Sequence, residues 1–381
     1  MIKILHTSDW HLGKIIYGMS LLDEQENFMF NTLISIMNKE KPDIIIIAGD
    51  VFDRQIASID AIKLFDKFIS LIQKKYSIPI VIITGNHDSK DRIAIARHLL
   101  KSQNIYISTE IADVFNFIDI KKDGKIIRLH PLAYFDLTSA KSFLGEDEIS
   151  YANAYKKIIA QIEKNTKCTN KNILISHCFV AGTNDNQTYA ESYVGNAAAV
   201  GYENFKNFDY VALGHIHKAQ SIKGNIHYSG APIKMSFDEP SKLKSLTIVE
   251  IDNEITLRQI PLEPMHNMRT IEGKFKDIVE MGKHHPSDDY MLINLEDNTP
   301  VYMPVEQLRV YYKNILSLQY INNWELKNSF NSNLDNLICN KNADEKHILE
   351  QFFKDICNID FDNDFYEIFK NACYLIKEEE K

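Results

Sequence analysis

The sequence has few cysteines and no long apolar run. Its five cysteines are an odd number and include no C-x-x-C pair, so neither a disulfide framework nor a thiolate zinc site is expected. The uncharged apolar runs, such as residues 44–48, are far shorter than the roughly 18 residues that a membrane span needs. The N-terminus lacks the basic start and long apolar stretch of a signal peptide. We therefore expect a reduced, cytoplasmic protein with no membrane partner.

Glycine and proline are not enriched, and basic residues are fewer than acidic ones. The 14 glycines and 10 prolines among 381 residues fit ordinary globular usage and exclude collagen-like and low-complexity chains. Asp and Glu number 52 and Lys and Arg number 43, which gives a net charge of −9. The net charge therefore does not favour non-specific binding of nucleic acid over the whole surface, and any polyanion must bind at a local site.

Short runs rich in Ile and Val alternate with segments of helical period. The predicted strands are residues 2–6, 43–48, 78–83, 173–177 and 210–214, and the predicted helices between them are residues 25–39 and 59–73. This alternation predicts an α/β fold whose strands are buried on both faces. Hairpin signals at Asp123-Gly124 and Asp252-Asn253 add antiparallel strands, so we expect mixed sheets.

The pattern divides the chain into three regions. Residues 1–262 form the main α/β domain, and a smaller α+β unit with a new strand and helix pattern follows at 263–322. Residues 323–381 start with an Asn-rich linker and end in two amphipathic helices. The apolar faces of these helices either dock on the chain's own domains or bind a partner, because periodicity alone does not say what an apolar stripe covers.

Five polar clusters follow or end predicted strands. They are Asp9-x-His11, Gly49-Asp50, Gly85-Asn86-His87-Asp88, His177 and Gly214-His215-x-His217. Ligands of open α/β sheets bind at the carboxyl ends of strands, so side chains that are far apart in sequence can share one pocket there. A single D-x-H or G-D motif is weak and often only caps a turn, whereas five such contexts in this order favour a site strongly.

The residue types in these clusters suit divalent cations. Imidazoles, carboxylates and an amide oxygen form a mixed nitrogen and oxygen set that fits Mn²⁺, Fe²⁺ or Zn²⁺ better than Ca²⁺. The set is larger than one ion needs, and two dications about 3.5–4 Å apart form a clamp for phosphoryl chemistry. One carboxylate must then bridge the two ions. Asp50 is our candidate because it follows the strand after the first helix, near the middle of the pocket.

The ensemble resembles the calcineurin-like metallophosphoesterase superfamily, whose motifs are D-x-H, G-D, G-N-H-[DE], H and G-H-x-H. Longer segments of residues 1–260 are similar to the SbcCD-type nuclease family, namely LHTSDWHLG, AGDVFD, TGNHDS, YVALGHIH and YSGAPIKMSFDE. The resemblance implies a fold of two mixed sheets packed as a sandwich and flanked by helices, with a small α+β capping domain and C-terminal helices.

The resemblance also implies ligands and roles. Asp9, His11, Asp50 and His217 would hold one Mn²⁺ ion, and Asp50, Asn86, His177 and His215 the other, with Mg²⁺, Fe²⁺ or Zn²⁺ as substitutes. His87 would stabilise the developing charge or protonate the leaving oxygen, and Asp88 would orient its ring. Asp53 stands where some relatives carry a second active-site histidine, so any contribution of that histidine is in doubt here.

The partners implied are DNA and an ATPase. The enzyme would be the nuclease component of an SbcCD-type complex, a 3′–5′ exonuclease on duplex ends and an endonuclease on single strands and hairpins, acting in DNA replication and in double-strand break repair and recombination. An SbcC-like ATPase of the SMC family would bind the C-terminal helices, and two nuclease subunits would pair in a heterotetramer. Candidate DNA contacts follow the motifs at Lys14, Tyr17, Arg54, Lys90 and Arg92, although each of them also suits a solvated surface position.

Two other functions stay open. The first is a calcineurin-like phosphodiesterase or phosphatase that acts on small molecules or proteins, against which the second domain and terminal helices count. The other is a non-catalytic scaffold for DNA ends whose metals are only structural. Asn86 and His87 argue against this scaffold, because a structural site has no use for an unligated histidine beside its ions.

Overall fold

The computed structural model describes residues 1–165, 171–181, 199–239 and 244–322, with single positions at 346, 366, 367, 369 and 370. The chain divides into two compact units, Met1–Met268 and Arg269–Lys381. The linker and C-terminal helices predicted over 323–381 lie outside the described residues, apart from those five positions. In the described parts, no helix combines the length and apolar character that crossing a bilayer requires.

The strands and helices of the first unit are numbered along the chain. The strands are β1 Ile2–Thr7, β2 Ile15–Ile16, β3 Met19–Ser20, β4 Ile44–Ala48, β5 Ile80–Ile83, β6 Ile105–Ser108, β7 Ile118–Lys122, β8 Lys125–Leu132, β9 Lys171–His177, β10 Val180–Ala181, β11 Val200–Gly201, β12 Tyr210–Gly214, β13 Gln220–Lys223, β14 Ile226–Tyr228, β15 Lys244–Ile251 and β16 Ile255–Leu262. The helices are α1 Leu22–Asn27, α2 Ile34–Glu40, α3 Ile59–Tyr76, α4 Lys90–Ile93, α5 Arg97–Lys101, α6 Leu137–Leu144 and α7 Tyr151–Asn165. A π-helical segment, Phe28–Leu33, joins α1 to α2, so the helix predicted over 25–39 is interrupted by one wider turn.

The longer strands form two six-stranded mixed sheets. The first has the order β16-β15-β1-β4-β5-β6, in which β1, β4, β5 and β6 are parallel and β15 is antiparallel to both of its neighbours, β1 and β16. The second has the order β13-β14-β12-β9-β8-β7, with antiparallel strands at both edges. The predicted mixed sheets are therefore confirmed, and the five predicted motif strands divide between two sheets.

Alternating residues of each strand pack between the two sheets. Ile4 and Ile46 of the first sheet and Ile175 and Ala212 of the second belong to one buried cluster. Leu174 points the other way and packs with residues of α7. Both faces of these strands are thus apolar, which is why they appear as unbroken Ile and Val runs in the sequence. The expected sandwich of two mixed sheets flanked by helices is confirmed.

Helix α1 holds two other segments of the first unit through consecutive buried side chains. The Gln25 amide donates to the carbonyl oxygens of Trp10 and His11, and its oxygen accepts the Gly13 N–H. The Glu24 carboxylate accepts the backbone N–H groups of residues 265 and 266, which follow β16. One helical turn therefore fixes both the loop after β1 and the chain that leaves the last strand of this unit.

The second unit is a three-stranded sheet with two helices. Its elements are β17 Met268–Gly273, which starts at the unit boundary, α8 Phe275–His284, β18 Ser287–Leu295, α9 Pro304–Leu308 and β19 Tyr312–Tyr320. The strand order is β17-β18-β19, and β18 and β19 are parallel. Ile278 of α8 and Leu308 of α9 pack on Met291 and Ile293 of β18, which gives this unit its own core.

Candidate metal centre

The five polar clusters all lie at carboxyl ends of strands, as predicted. Asp9 comes after β1, Asp50 after β4 and Asn86 after β5 in the first sheet, while His177 ends β9 and His215 follows β12 in the second. The two sheets meet here directly, because His177 Nδ1 donates to the Ala48 carbonyl oxygen at 2.9 Å. Side chains from both sheets therefore share one buried edge.

The turns that carry these side chains have unusual backbone angles. Asp9, His11, Asp50 and His215 have φ values of +54°, +45°, +51° and +100°, a region that residues with a side chain rarely adopt. Such conformations cost of order 1–3 kcal/mol each and persist where the surroundings fix them. Here the His11 N–H donates to the Asp50 carbonyl oxygen at 3.0 Å, so the two turns hold each other.

We name the side chains of the first predicted ion group A: Asp9, His11, Asp50 and His217. His11 Nε2 lies 3.2 Å from His217 Nε2 and 3.6 Å from Asp50 Oδ2. Potential ligand atoms of Asp9, His11 and His217 all lie within 4.8 Å of one another. Asp9 is completely buried, accepts the His215 N–H at 2.9 Å and is bonded by the Ser8 hydroxyl. The structure brings all four group A residues together.

Group B comprises Asp50, Asn86, His177 and His215, the side chains of the second predicted ion. Asn86 Oδ1 lies 3.1 Å from both His177 Nε2 and His215 Nδ1. His177 Nε2 is also 3.3 Å from Asp50 Oδ2. An amide oxygen, two imidazole nitrogens and a carboxylate oxygen thus converge on one point, which fits a divalent cation of intermediate hardness.

Asp50 belongs to both groups. Its Oδ2 faces His177 and His11, and its Oδ1 accepts the His87 N–H at 2.9 Å. Burial alone would raise the pKa of Asp50, but the charges of His177, His11 and His87 and the hydrogen bond to His177 outweigh burial and lower this pKa well below its usual value. Burial likewise opposes the charge on His177, yet Asp50 raises the pKa of His177 to about 9. The buried Asp50 carboxylate therefore favours positive charge on the groups beside it.

His215 responds differently to the same surroundings. Burial and the neighbouring His177 lower the pKa of His215 to about 4, so its ring is neutral at neutral pH. A neutral imidazole is the form that ligates a cation. In group B, His215 is therefore already in the neutral form that can bind a cation.

The expected relation between Asp88 and His87 is corrected by the structure. The Asp88 carboxylate is buried and accepts backbone N–H groups of Val51, Phe52 and Gly85 at 3.2, 2.9 and 2.9 Å. The ring of His87 is instead fixed through Nδ1, which donates to the Asp53 carbonyl oxygen at 2.9 Å. Asp88 joins the loops after β4 and β5, because three N–H donors there would otherwise be unsatisfied. Burial and the Asp50 charge raise the pKa of Asp88 to about 6.

Two carboxylates beside group A were not assigned from the sequence. Asp53 Oδ1 lies 3.5 Å from His11 Nδ1, and Glu239 Oε1 lies 3.3 Å from His217 Nδ1. Each has a lysine partner, Lys14 for Asp53 at 3.1 Å and Lys244 for Glu239. Asp53 was visible as a departure from relatives and Glu239 as the last residue of a matching segment, but no spacing rule relates either one to a histidine.

The candidate DNA contacts are spread around this edge. Lys14 and Arg54 both approach the Asp53 carboxylate, and the Arg54 side chain is 72% exposed. Tyr17 is exposed and packs its ring against Phe237 with centroids 5.9 Å apart. Lys90 and Arg92 lie on α4, just beyond the loop that carries His87, and Lys90 Nζ is 3.5 Å from the Ser139 hydroxyl. Their role as DNA contacts stays a prediction.

Several known proteins are similar to this chain. The model of the calcineurin-like phosphoesterase family matches residues 2–219. The SbcD subunit of the SbcCD nuclease from Staphylococcus epidermidis is 30% identical over 359 residues, 93% of each chain. The SbcD subunit from Staphylococcus saprophyticus is 32% identical over 322 residues, 83% of this chain and 84% of that one. A solved structure of a dimetal phosphatase from Danio rerio covers 69% of this chain and 98% of its own, with a TM-score of 0.43 and 11% identity.

The family match spans more than half of the chain and contains all five strand-end clusters. The matches to the two staphylococcal proteins extend beyond it over most of both chains. The chain therefore belongs to the calcineurin-like phosphoesterase family and, within it, to the family of SbcD nuclease subunits.

Proposed function

We propose that the protein is a divalent-metal-dependent DNA nuclease subunit that hydrolyses phosphodiester bonds. It would degrade duplex ends with 3′–5′ polarity and cleave single strands and hairpins, in DNA replication and in double-strand break repair and recombination. The metallophosphoesterase family supports the reaction class, and the name that both staphylococcal relatives carry supports DNA as the substrate. The acidic chain suits an enzyme whose hold on DNA is local rather than spread over its surface.

One observation carries this proposal. Asp50 Oδ2 lies 3.3 Å from a group B nitrogen and 3.6 Å from a group A nitrogen, so a single carboxylate faces both ligand sets. The donor chemistry of both groups fits Mn²⁺, which we propose as the physiological ion, and a paired site requires such a shared ligand. When bound, the two cations supply Lewis-acid activation of a water molecule and of the phosphoryl oxygens.

The proposed catalytic residue is His87. Its Nδ1 must carry a proton, because it donates to a carbonyl oxygen, and this leaves Nε2 for exchange with the substrate. The residue is exposed, and its ring centroid lies 4.8 Å from that of His11. A protonated His87 would donate from Nε2 to the leaving 3′ oxygen or to a phosphate oxygen. Asp88 would keep the His87 loop beside Asp50.

Three substrates test the function. Purified full-length protein would be incubated with Mn²⁺ or with EDTA, on labelled hairpin DNA, on a bis-aryl phosphodiester and on a phosphomonoester. We expect Mn²⁺-dependent cleavage of the hairpin. Preference for the monoester would instead indicate a phosphatase, hydrolysis of the bis-aryl ester alone a small-molecule phosphodiesterase, and no hydrolysis of any substrate a scaffold. Duplex degradation is not the deciding assay, because it is expected to need the ATPase.

We further propose an assembly with an SbcC-like ATPase, which the relatives' name supports. The C-terminal helices predicted within 323–381 would bind the base of the ATPase coiled coil, and the unit that follows residue 262 would cap the nuclease site and restrict access of duplex DNA. Such a complex would act in the cytoplasm on the chromosome. Binding of the ATPase by full-length protein, and loss of this binding on truncation after residue 322, tests the role of the C-terminal helices.

A nuclease homodimer within this assembly would use the outer face of the first sheet. Helix α3 connects β4 to β5, and α4 and α5 connect β5 to β6; because such crossovers are right-handed, all three lie on one face. That face exposes Ile59, Ile95 and Leu99 to 70% each. We expect Leu99→Glu to halve the mass that light scattering reports, and an unchanged mass would contradict this interface.

A further inference from the structure

The histidines of groups A and B differ in what holds their outward nitrogens. In group A, His11 Nδ1 faces the Asp53 carboxylate at 3.5 Å and His217 Nδ1 faces the Glu239 carboxylate at 3.3 Å. In group B, His177 Nδ1 donates to a neutral backbone carbonyl, that of Ala48, at 2.9 Å. The two ligand sets are therefore surrounded by different charge.

The carboxylates are built into the structure. Asp53 is 7% exposed and the Glu239 side chain is 11% exposed. Glu239 Oε1 also accepts the Met235 N–H at 3.0 Å, and Lys244 contacts the carboxylate while donating to the His217 carbonyl oxygen at 2.9 Å. Glu239 thus contacts the ring of His217, and Lys244 contacts its backbone.

The outward ring nitrogen of His11 lacks a hydrogen bond within the described part of the chain. This nitrogen, His11 Nδ1, is buried and faces Asp53 Oδ1 at 3.5 Å. Lys14 Nζ lies 3.1 Å from this oxygen and keeps the carboxylate in place. A cation on Nε2 would leave Nδ1 protonated, and this proton would then point at Asp53.

Metal-bound imidazoles become better ligands when a carboxylate accepts their second N–H, because the acceptor fixes the ring and makes the nitrogen more basic. Group A also contains one more carboxylate of its own, Asp9, where group B has the Asn86 amide. We propose that Asp53 and Glu239 are positioning residues for His11 and His217 and that they make group A the tighter of the two cation sites. This inference rests on the proposed metal centre and adds an order of loading to it.

Binding of Mn²⁺ itself tests the inference without an activity assay. Titration of the full-length apoprotein, followed by calorimetry and by the electron paramagnetic resonance of free Mn²⁺, should show two unequal steps. Asn86→Ala should remove the weaker step and keep the tighter one. Glu239→Ala and Asp53→Ala should each weaken the tighter step by about 10- to 100-fold.

Two further variants separate positioning from folding. Glu239→Gln keeps an oxygen acceptor for His217 without its charge, so it should restore part of the affinity that Glu239→Ala loses. Glu40→Gln is the matched control, because Glu40 is also a buried carboxylate with basic partners, Arg258 and Lys3, but it contacts neither group. We expect it to leave both steps unchanged.

The outcomes are distinct. Two equal steps in the wild type, loss of the tighter step in Asn86→Ala, or an unchanged tighter step in Glu239→Ala would each overturn the proposed order of loading while leaving a metal centre in place. A wild-type protein that binds no Mn²⁺ would overturn the centre itself and the proposed function with it.

Discussion

His87 and Asp88 are adjacent residues with opposite surroundings. His87 is exposed, and its ring donates a hydrogen bond to the Asp53 carbonyl oxygen. Asp88 is buried and accepts hydrogen bonds from three backbone N–H groups. The exposed residue can reach a substrate, and the buried one can only shape the loop. A change at His87 should therefore affect turnover, and a change at Asp88 should affect the loop itself.

We predict that His87→Ala binds two Mn²⁺ ions with wild-type affinity but loses about 10²- to 10⁴-fold in the rate of hairpin cleavage. The reason is that His87 belongs to neither ligand group and offers Nε2 for proton transfer. Calorimetry and a cleavage time course check the two parts, with His217→Ala as the contrast that loses one ion. Equal metal loss in both variants would assign His87 to the ligands and remove its role as acid.

The side chains that gather in groups A and B were predictable because each stands in a short motif after an apolar run or, for His177, at the end of such a run. Asp53 and Glu239 were not, since their importance lies in contacts with histidines that only folding brings near. The expected pairing of Asp88 with His87 failed for a related reason. Adjacency in sequence suggested a contact, whereas the unsatisfied N–H donors of Val51, Phe52 and Gly85 take the carboxylate instead.

At the scale of strands and loops, glycines let neighbouring turns approach closely. A Cβ atom on Gly85 would lie 2.1 Å from Asp50 Oδ1 and 2.4 Å from its backbone nitrogen. Real Cβ atoms do not approach other atoms so closely, so either the loop after β5 or the Asp50 turn would have to move. The position of the Asp50 carboxylate thus depends on glycine, which has no side chain, at position 85.

Gly85→Ala should consequently weaken both Mn²⁺ steps together and lower the free energy of unfolding by about 1–3 kcal/mol. Gly124→Ala is the control, because its position in the β7–β8 turn has open space around it but a φ of +75°, which strains any side chain. We expect the control to lose about 1 kcal/mol of stability and no Mn²⁺ affinity. Two wild-type binding steps in Gly85→Ala would show that the loop absorbs the methyl group.

Strand positions were predictable from apolar runs, but their division between sheets was not. Residues 44–48 and 173–177 are similar apolar runs buried on both faces, yet one lies in the first sheet and the other in the second. Two-sided burial removes the alternation that would have identified the outer face. The hairpin turn at Asp123-Gly124 was readable, because both residues adopt the positive φ that such turns need.

Across the whole molecule, burial keeps several histidines neutral. Burial lowers the pKa of His227 to about 4, and hydroxyl groups of Ser221 and Thr247 bond both ring nitrogens. Burial also lowers the pKa of His130 to about 4, beside the Asn172 amide oxygen. In the unfolded chain both would titrate near 6.5, so unfolding takes up protons in acid.

The stability that these neutral rings contribute is therefore complete above about pH 6.5 and is lost as the pH falls toward about 4. Between pH 7 and pH 5 each ring should cost the fold about 2 kcal/mol. We expect His227→Gln and His130→Gln to flatten the fall in the free energy of unfolding by this amount, measured in urea with EDTA present. The exposed His98→Gln should retain the wild-type slope, and an unchanged slope in the buried variants would mean that these rings bind protons equally in the folded and unfolded states.

The adjacent side chains Glu24 and Gln25 connect two distant parts of the chain to one helix. One holds residues 265 and 266, where the chain leaves its last large-sheet strand, and the other holds the peptide bonds of Trp10 and His11. A force that pulls residue 266 toward the smaller unit would therefore act on the same helix that holds the backbone of Trp10 and His11. Such a force would reach the loop of group A through two adjacent side chains.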